Sequence, residues 1–403
     1  MGANTTGTVN TAVGSGALDA NTTGSYNNAL GYNALGANTT AGAGTALGHA
    51  ALAANTTGAY NTAVGFSALA SNTTGYENVA VGIEALYTQT TGIGNTAVGR
   101  VALRANTANN NTSVGTVSLF SNTSGTSNAA LGAYALQSNT TASNNTAVGY
   151  GALIANTTAG NNTAVGYNSG SSITTGVDNT ILGSGAGGIT TGSQNVAVGY
   201  LPMGGASTTG AYNTAMGYAT LFELTSGANN LALGKNAGRA TSPSGSITTG
   251  SDRIVLGDNS ITNAYIRVAW TVTSDARDKT DFTPLDLGLD FVKALQPITY
   301  KWDMRSKYGD STADDYDLAA QTPDGTHKED WLDIGFKAQD VEALEIAAGY
   351  TKENKTNLVS SHTEDGKQMG LKYEKFVPIL VKALQEADAK IEELTTRIEA
   401  LEG

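Results

Sequence analysis

The chain has 403 residues, with 22 basic and 34 acidic side chains, a net charge of −12, 50 glycines and no cysteine. An acidic balance without a basic cluster excludes a phosphate-backbone or anionic-lipid partner, and the lack of cysteine excludes disulfide staples and thiolate metal sites. No stretch is long and apolar enough to insert in a membrane as a helix. Only six of the basic and seven of the acidic residues precede Ser274; a Gly/Asn/Thr-rich, nearly uncharged segment giving way to a charge-rich one marks a boundary near residue 274.

Residues 1–257 are a repeat. A core of the Asn-Thr-Ala-Val-Gly type recurs fifteen times and closes on Gly14, Gly31, Gly48, Gly65, Gly82, Gly99, Gly115, Gly132, Gly149, Gly166, Gly183, Gly199, Gly217, Gly234 and Gly257. The period is 17 residues, with one-residue slips at Gly115, Gly199 and Gly217 and a final interval of 23. So short a period predicts stacked rungs, none able to bury its apolar face alone. In the core, a small residue (Ala12, Ala29, Ala46) is followed by a larger apolar one (Val13, Leu30, Leu47). The two point to opposite faces of a strand. The expectation is that the bulky face packs the rung while the alanine face admits another chain closely.

Ala-Leu pairs (Ala17-Leu18, Ala34-Leu35, Ala68-Leu69) predict a second short strand, and Asn-Thr-Thr-Gly at Asn21 to Gly24 and Asn55 to Gly58 predicts the closing turn. Fifteen rungs at one strand spacing, about 4.8 Å, predict a shaft of about 70 Å. Apolar volume per rung is small, which predicts three chains sharing one axis. The Asn-x-Thr triplets match a glycosylation acceptor, but their periodic place at a turn favours a structural role. Tyr26, Tyr32, Tyr60, Tyr76, Tyr150, Tyr167, Tyr200, Tyr212 and Tyr218 recur beside the core; they pad rung against rung, or alternatively offer their rings to sugars.

Residues 258–273 connect the repeat to the rest through a strand-like run, Ile266 to Thr273. Four blocks follow in order: Ser274-Asp275-Ala276-Arg277-Asp278-Lys279; a helix-like Leu289 to Leu295 leading into Pro297-Ile298-Thr299-Tyr300-Lys301-Trp302; Gly335 to Val341; and Leu371-Lys372-Tyr373. The chain then carries a heptad seam, Tyr373, Val377, Leu380, Leu384, Ala387, Ile391, Leu394, Ile398 and Leu401, with Pro378 in the first turns where it is tolerated. Leucine at one seam position and β-branched residues at the other point to a dimer. Arg397-Ile398-Glu399-Ala400-Leu401-Glu402 instead resembles the Arg-apolar-x-x-apolar-Glu pattern of three-stranded coiled coils, which agrees with the shaft's need for three chains.

Together these blocks resemble the auto-processing intramolecular chaperone domain of phage tail fibres, tail spikes and endosialidases. The resemblance implies a chaperone domain over 274–403, with a coiled coil over about 373–402, that trimerises, helps the shaft fold and is cut away before its serine. Carried onto this sequence, Ser274 is the nucleophile, Lys279 the general base, and Thr273-Ser274 the scissile bond. A serine hydroxyl needs a base, and lysine serves when burial or a nearby cation pulls its pKa down from about 10.4; Arg277 is the candidate cation. Asp278 departs from the family, where an apolar residue is common, and is harmless only if it faces away from Lys279.

Little else carries chemistry. His49 lies inside a rung, His327 and His362 lack companion ligands, and Asp314-Asp315 and Glu392-Glu393 read as solvated, so no metal or cofactor is expected. The expectation is a mostly β protein: a trimeric β-helix or β-solenoid shaft of about 17-residue repeats, then a small α+β chaperone domain ending in a trimeric coiled coil. Its function is that of a phage tail fibre or spike in the virion tail, with a host surface glycan receptor and other virion tail proteins as partners. Its only catalysis is that of a self-cleaving serine peptidase acting on its own chain, the chaperone domain being released in the host cytoplasm. The chain opens in mid-repeat, as a fragment or a small fibre riding on another protein would. A bacterial trimeric autotransporter-like adhesin head is one alternative, calling for a secretion signal and an anchoring barrel whose patterns the sequence lacks. A carbohydrate- or ice-binding solenoid is another, and it leaves the chaperone blocks unexplained.

Overall fold

A computed structural model describes residues 2–205, 207–267, 272–310 and 316–402. Part of the strand-like run (268–271) and the Asp314-Asp315 pair lie outside the described residues. The chain forms two compact units: Met1–Arg239 with Ile247–Asp258, and Ala240–Ser246 with Asn259–Gly403.

The first unit is a β-solenoid. Fifteen three-residue strands, from β1 (Thr11–Val13) to β15 (Ile254–Leu256), form one parallel sheet in strict chain order. Ala12 pairs with Ala29 and Ala63 with Ala80, so like stands over like.

The two strand faces are the reverse of the sequence expectation. Ala29, Ala46, Ala63 and Ala80 point inward and are fully buried, while Val13 (55% exposed), Leu30 (49%) and Leu47 (44%) point outward. The reason is volume. Leu18, Leu35, Leu52 and Leu69 each fill the interior of a rung at 0% exposure, which leaves room for only a methyl group from the strand opposite.

Those leucines are not on a second strand either. The Ala-Leu pairs are turns, with Leu18, Leu35, Leu52 and Leu69 in the left-handed region at φ of 49°, 49°, 52° and 52°. That conformation costs an L-residue roughly 1–2 kcal/mol, and full burial of a leucine returns roughly 1.5–3 kcal/mol, so burial decides the geometry. Where Gly170, Gly187 and Gly238 take this place, Ile173, Ile189 and Ile247 are the buried residues that fill the interior.

Two buried amide ladders replace much of the missing apolar core. In one, the Nδ2 group of Asn38 donates to Asn21 Oδ1 (2.8 Å), Asn55 to Asn38 (3.1 Å) and Asn72 to Asn55 (2.7 Å). In the other, the Asn78 backbone N–H donates to Asn61 Oδ1 (3.0 Å), and Asn78 Nδ2 donates to the Gly92 carbonyl (2.9 Å). Asn21 and Asn55, both in Asn-Thr-Thr triplets, are therefore buried with their amide nitrogens engaged.

The first ladder breaks at Gln89. The extra methylene leaves Asn72 Oδ1 and Gln89 Nε2 buried without partners, although Asn106 Nδ2 still reaches Gln89 Oε1 at 2.8 Å. An unsatisfied buried polar group costs about 1–3 kcal/mol. Gln89→Asn is therefore expected to raise the thermal unfolding midpoint of the solenoid, and an unchanged or lower midpoint by circular dichroism would refute this account of the break.

The aromatic residues stack along the solenoid. Tyr32, His49 and Phe66 lie ring on ring, with centroids 5.2 and 5.0 Å apart, and Tyr150–Tyr167 (5.6 Å) and Tyr200–Tyr218 (5.7 Å) repeat the pattern. Each contact packs a ring of one rung on a ring of the next, so these residues pad rung against rung on the faces they share.

The second unit is α+β. It contains α1 (Leu289–Ala294), β16 (Ile298–Tyr300) antiparallel to β17 (Asp333–Gly335), α2 (Ala338–Ala347), the hairpin of β18 (Ser360–His362) and β19 (Met369–Leu371), and α3 (Phe376–Glu402). Phe291, Leu295, Val341, Val359, Phe376 and Ile379 form its core. Glu345 of α2 is buried there, and its carboxylate accepts from the N–H groups of Leu358 (2.8 Å), Val359 (2.6 Å) and Ser360 (2.9 Å), pinning the entry to the hairpin. Burial alone pushes this carboxyl's pKa up, but donors from Ser360, Val359 and Leu358 outweigh it and hold the pKa below the usual carboxylate range.

Candidate functional site

Ser274 to Lys279 is built around one tight turn. The Asp275 side chain caps a 3-10 turn over Ala276–Asp278 by accepting from the Arg277 N–H at 2.9 Å, satisfying a donor that the turn leaves orphaned. Lys279 resumes an extended conformation with its own N–H on the Ala276 carbonyl. The reversal carries the Lys279 side chain back over five residues, so that Nζ donates to Ser274 Oγ at 2.6 Å and to the Ser274 carbonyl at 3.3 Å. The two residues singled out by the sequence pattern thus stand in direct hydrogen-bond contact.

The flanking charges are arranged differently from the expectation. Arg277 is engaged with Asp275: its NH2 group lies 2.6 Å from Oδ2 and its Nε 3.1 Å from Oδ1. This pairing holds the Asp275 pKa below the usual carboxylate range and raises that of Arg277. Its positive charge is thereby countered by a carboxylate and is not free to act on Lys279. Among the described residues, Asp278 forms no ion pair with Lys279, so the departure from the family pattern leaves the Ser274–Lys279 contact intact.

Ser274 and Lys279 are both exposed in the single chain. A hydroxyl within hydrogen-bond reach of an amine is the geometry needed for nucleophile activation, but a water-filled surrounding screens the charges that such chemistry develops.

Three of the other sequence blocks meet elsewhere. Tyr300 and Trp302, Phe336 and Lys337, and Leu371 and Tyr373 line one cavity of about 560 Å³. Trp302 Nε1 donates to Asp333 Oδ2 at 3.2 Å, and the Phe336 N–H donates to the Tyr373 hydroxyl at 3.4 Å. Neither Ser274 nor Lys279 lines it, so these blocks build the domain around β16 and β17, not the Ser/Lys pair. Sequence reasoning missed Glu345, whose only visible signal was one acid in an ordinary helical pattern.

The seam of α3 is bare in the single chain. Phe376, Ile379 and Ala383 face inward, while Val377, Leu380, Leu384, Ile391, Leu394, Ile398 and Leu401 are exposed.

Residues 274–350 match the family model described as chaperone of endosialidase, a match that opens on Ser274 itself. No curated protein and no solved structure matches the chain. Residues 274–350 are thus similar to the chaperone-of-endosialidase family, and their place behind a β-solenoid of 17-residue repeats fits a tail fibre with an intramolecular chaperone domain.

Proposed function

We propose that the protein is a homotrimeric phage tail fibre or spike, carried on the virion tail, whose C-terminal domain assembles and folds the shaft and then cuts itself off before Ser274. The observation that carries this reading is the uncovered α3 seam, a heptad stripe of exposed large apolar side chains interrupted only at Ala387, in a chain whose preceding residues match a chaperone family. Such a stripe requires partner helices.

Three copies meeting along α3 bring their shafts into register. The outward stripe that includes Val13, Leu30, Leu47, Leu131, Met216 and Leu256 then serves as the contact face between chains, the role that the sequence pattern assigned to the alanines. The neutral, hydroxyl- and amide-rich remainder of the shaft faces the host, where a glycan receptor suits its chemistry.

Cleavage follows assembly, because neighbouring chains supply the burial that the Ser274–Lys279 pair lacks alone. Lys279 Nζ, once neutral, takes the proton of Ser274 Oγ as the oxygen attacks the Thr273 carbonyl carbon. The Thr273–Ser274 C–N bond breaks, the lysine returns the proton to the departing nitrogen, and an ester joins Thr273 to Ser274 Oγ. Water hydrolyses the ester, leaving a Thr273 carboxylate and a free Ser274 amine.

Intact-mass measurement on freshly made protein tests this. The wild type is expected to show a fragment beginning at Ser274, and Ser274→Ala and Lys279→Ala to lose it. An uncut wild type, or a Ser274→Ala chain cut at the same bond, would overturn the cleavage reading.

A further inference from the structure

The compact C-terminal unit does not start at Ser274. It takes in Ala240–Ser246 and everything from Asn259, so the Thr273–Ser274 bond lies inside it. Ala240–Ser246 falls within the stretched last repeat interval, and the turn of the β18–β19 hairpin grips it. Gln368 Nε2 donates to the carbonyls of Ala240 (3.2 Å) and Ser242 (3.3 Å), and the Ser246 N–H donates to Asp365 Oδ2 (3.5 Å). Ser242 is fully buried. At Gly245, with φ of +63°, a Cβ would stand 2.8 Å from Asp365 Oδ1 and 2.9 Å from Thr363 Cβ, so the fit requires glycine.

All the gripping groups belong to residues 274–403, and all the gripped ones to residues 1–273. Hydrolysis of one peptide bond beside an exposed serine removes none of these contacts. We propose that the cut before Ser274 nicks the unit without dissolving it: fragment 274–403 remains bound, noncovalently, to 240–246 of fragment 1–273, and leaves only in a separate later step. This rests on the cleavage reading for its biological occasion, but the surface itself does not. In a trimer three such grips act together, so release requires all three to open.

The test uses the full chain in two forms. One is the self-cleaving wild type; the other is Lys279→Ala with a site-specific protease sequence inserted between Thr273 and Ser274, cut to completion by that protease. Size-exclusion chromatography with mass analysis of each peak is expected to find both fragments in one peak in either form. Gln368→Ala combined with Gly245→Val is expected to reduce the co-eluting fraction at least tenfold. Separate elution of fragment 274–403 as soon as the bond is cut, or full retention in the double variant, would overturn the proposal. A wild type that stays uncut while the protease-cut form stays associated would count against self-cleavage and for the grip.

Discussion

Replacement of Leu384 and Ile391 by aspartate is expected to leave the protein as single chains. Both side chains lie on the bare α3 seam, at 71% and 61% exposure in one chain, and in a three-stranded bundle both turn inward to the axis. Two substitutions per helix place six carboxylates in a column with no cation among them, and each uncompensated buried charge costs several kcal/mol. The helix itself keeps its anchorage, because Phe376, Ile379 and Ala383 face the domain core and Glu386 accepts from the Leu289 N–H at 2.7 Å. The variant domain should therefore fold but not associate. Sedimentation velocity is expected to report the 41.0 kDa of one chain where the wild type gives three times that mass, and the shaft, deprived of its partners, should become sensitive to protease. Glu393→Gln, off the seam, serves as the control. A variant that still sediments as a trimer would remove the coiled coil from the assembly mechanism.

The second large effect is expected at the glycine closing each core. Gly149 has φ of 132°, and a Cβ there would stand 2.3 Å from the carbonyl oxygen of Gly166 in the next rung. The backbone has no room to yield, since the Gly149 N–H donates to Leu131 O at 2.7 Å and the Gly166 N–H to Val148 O at 2.8 Å. Gly149→Ala must therefore break the stack locally, at a cost of more than about 4 kcal/mol, outside the usual range for a point change. Gly151→Ala, two residues away, is expected to cost only about 1 kcal/mol. Its φ is +63°, but the group that a Cβ meets is the movable end of Asn168, and Ala50 holds the equivalent place three residues before Ala53 of an earlier rung with φ of 55°. Denaturant unfolding of the pair separates the two causes. Equal losses would mean that positive φ, not rung-to-rung distance, governs the closing glycines.

Much of this architecture was legible in the amino-acid order. The 17-residue spacing from Gly14 to Gly31 to Gly48 determined a parallel stack with like over like, because each rung pairs only with its neighbours and a constant period fixes their register. The alternation of three and four from Val377 to Leu401 determined the bare stripe on α3, since a helix turns every 3.6 residues. The five-residue separation of Ser274 and Lys279 was likewise visible, together with the motif that surrounds them.

Only the tertiary structure decided which strand face is the inside. Ala12 beside Val13 is the same alternation whichever way it is turned, and the choice depended on the volume already taken by a leucine from the opposite turn. That leucine was visible in the sequence only as part of a second strand, because its left-handed backbone is unfavourable locally and is repaid only by burial across rungs. Nor could the order of residues show that Arg277 turns to Asp275 and leaves Lys279 to Ser274, or that Gln368 closes on Ala240 and Ser242. Spacing along the chain reports which groups repeat; which groups meet is settled by the space left once the core has filled.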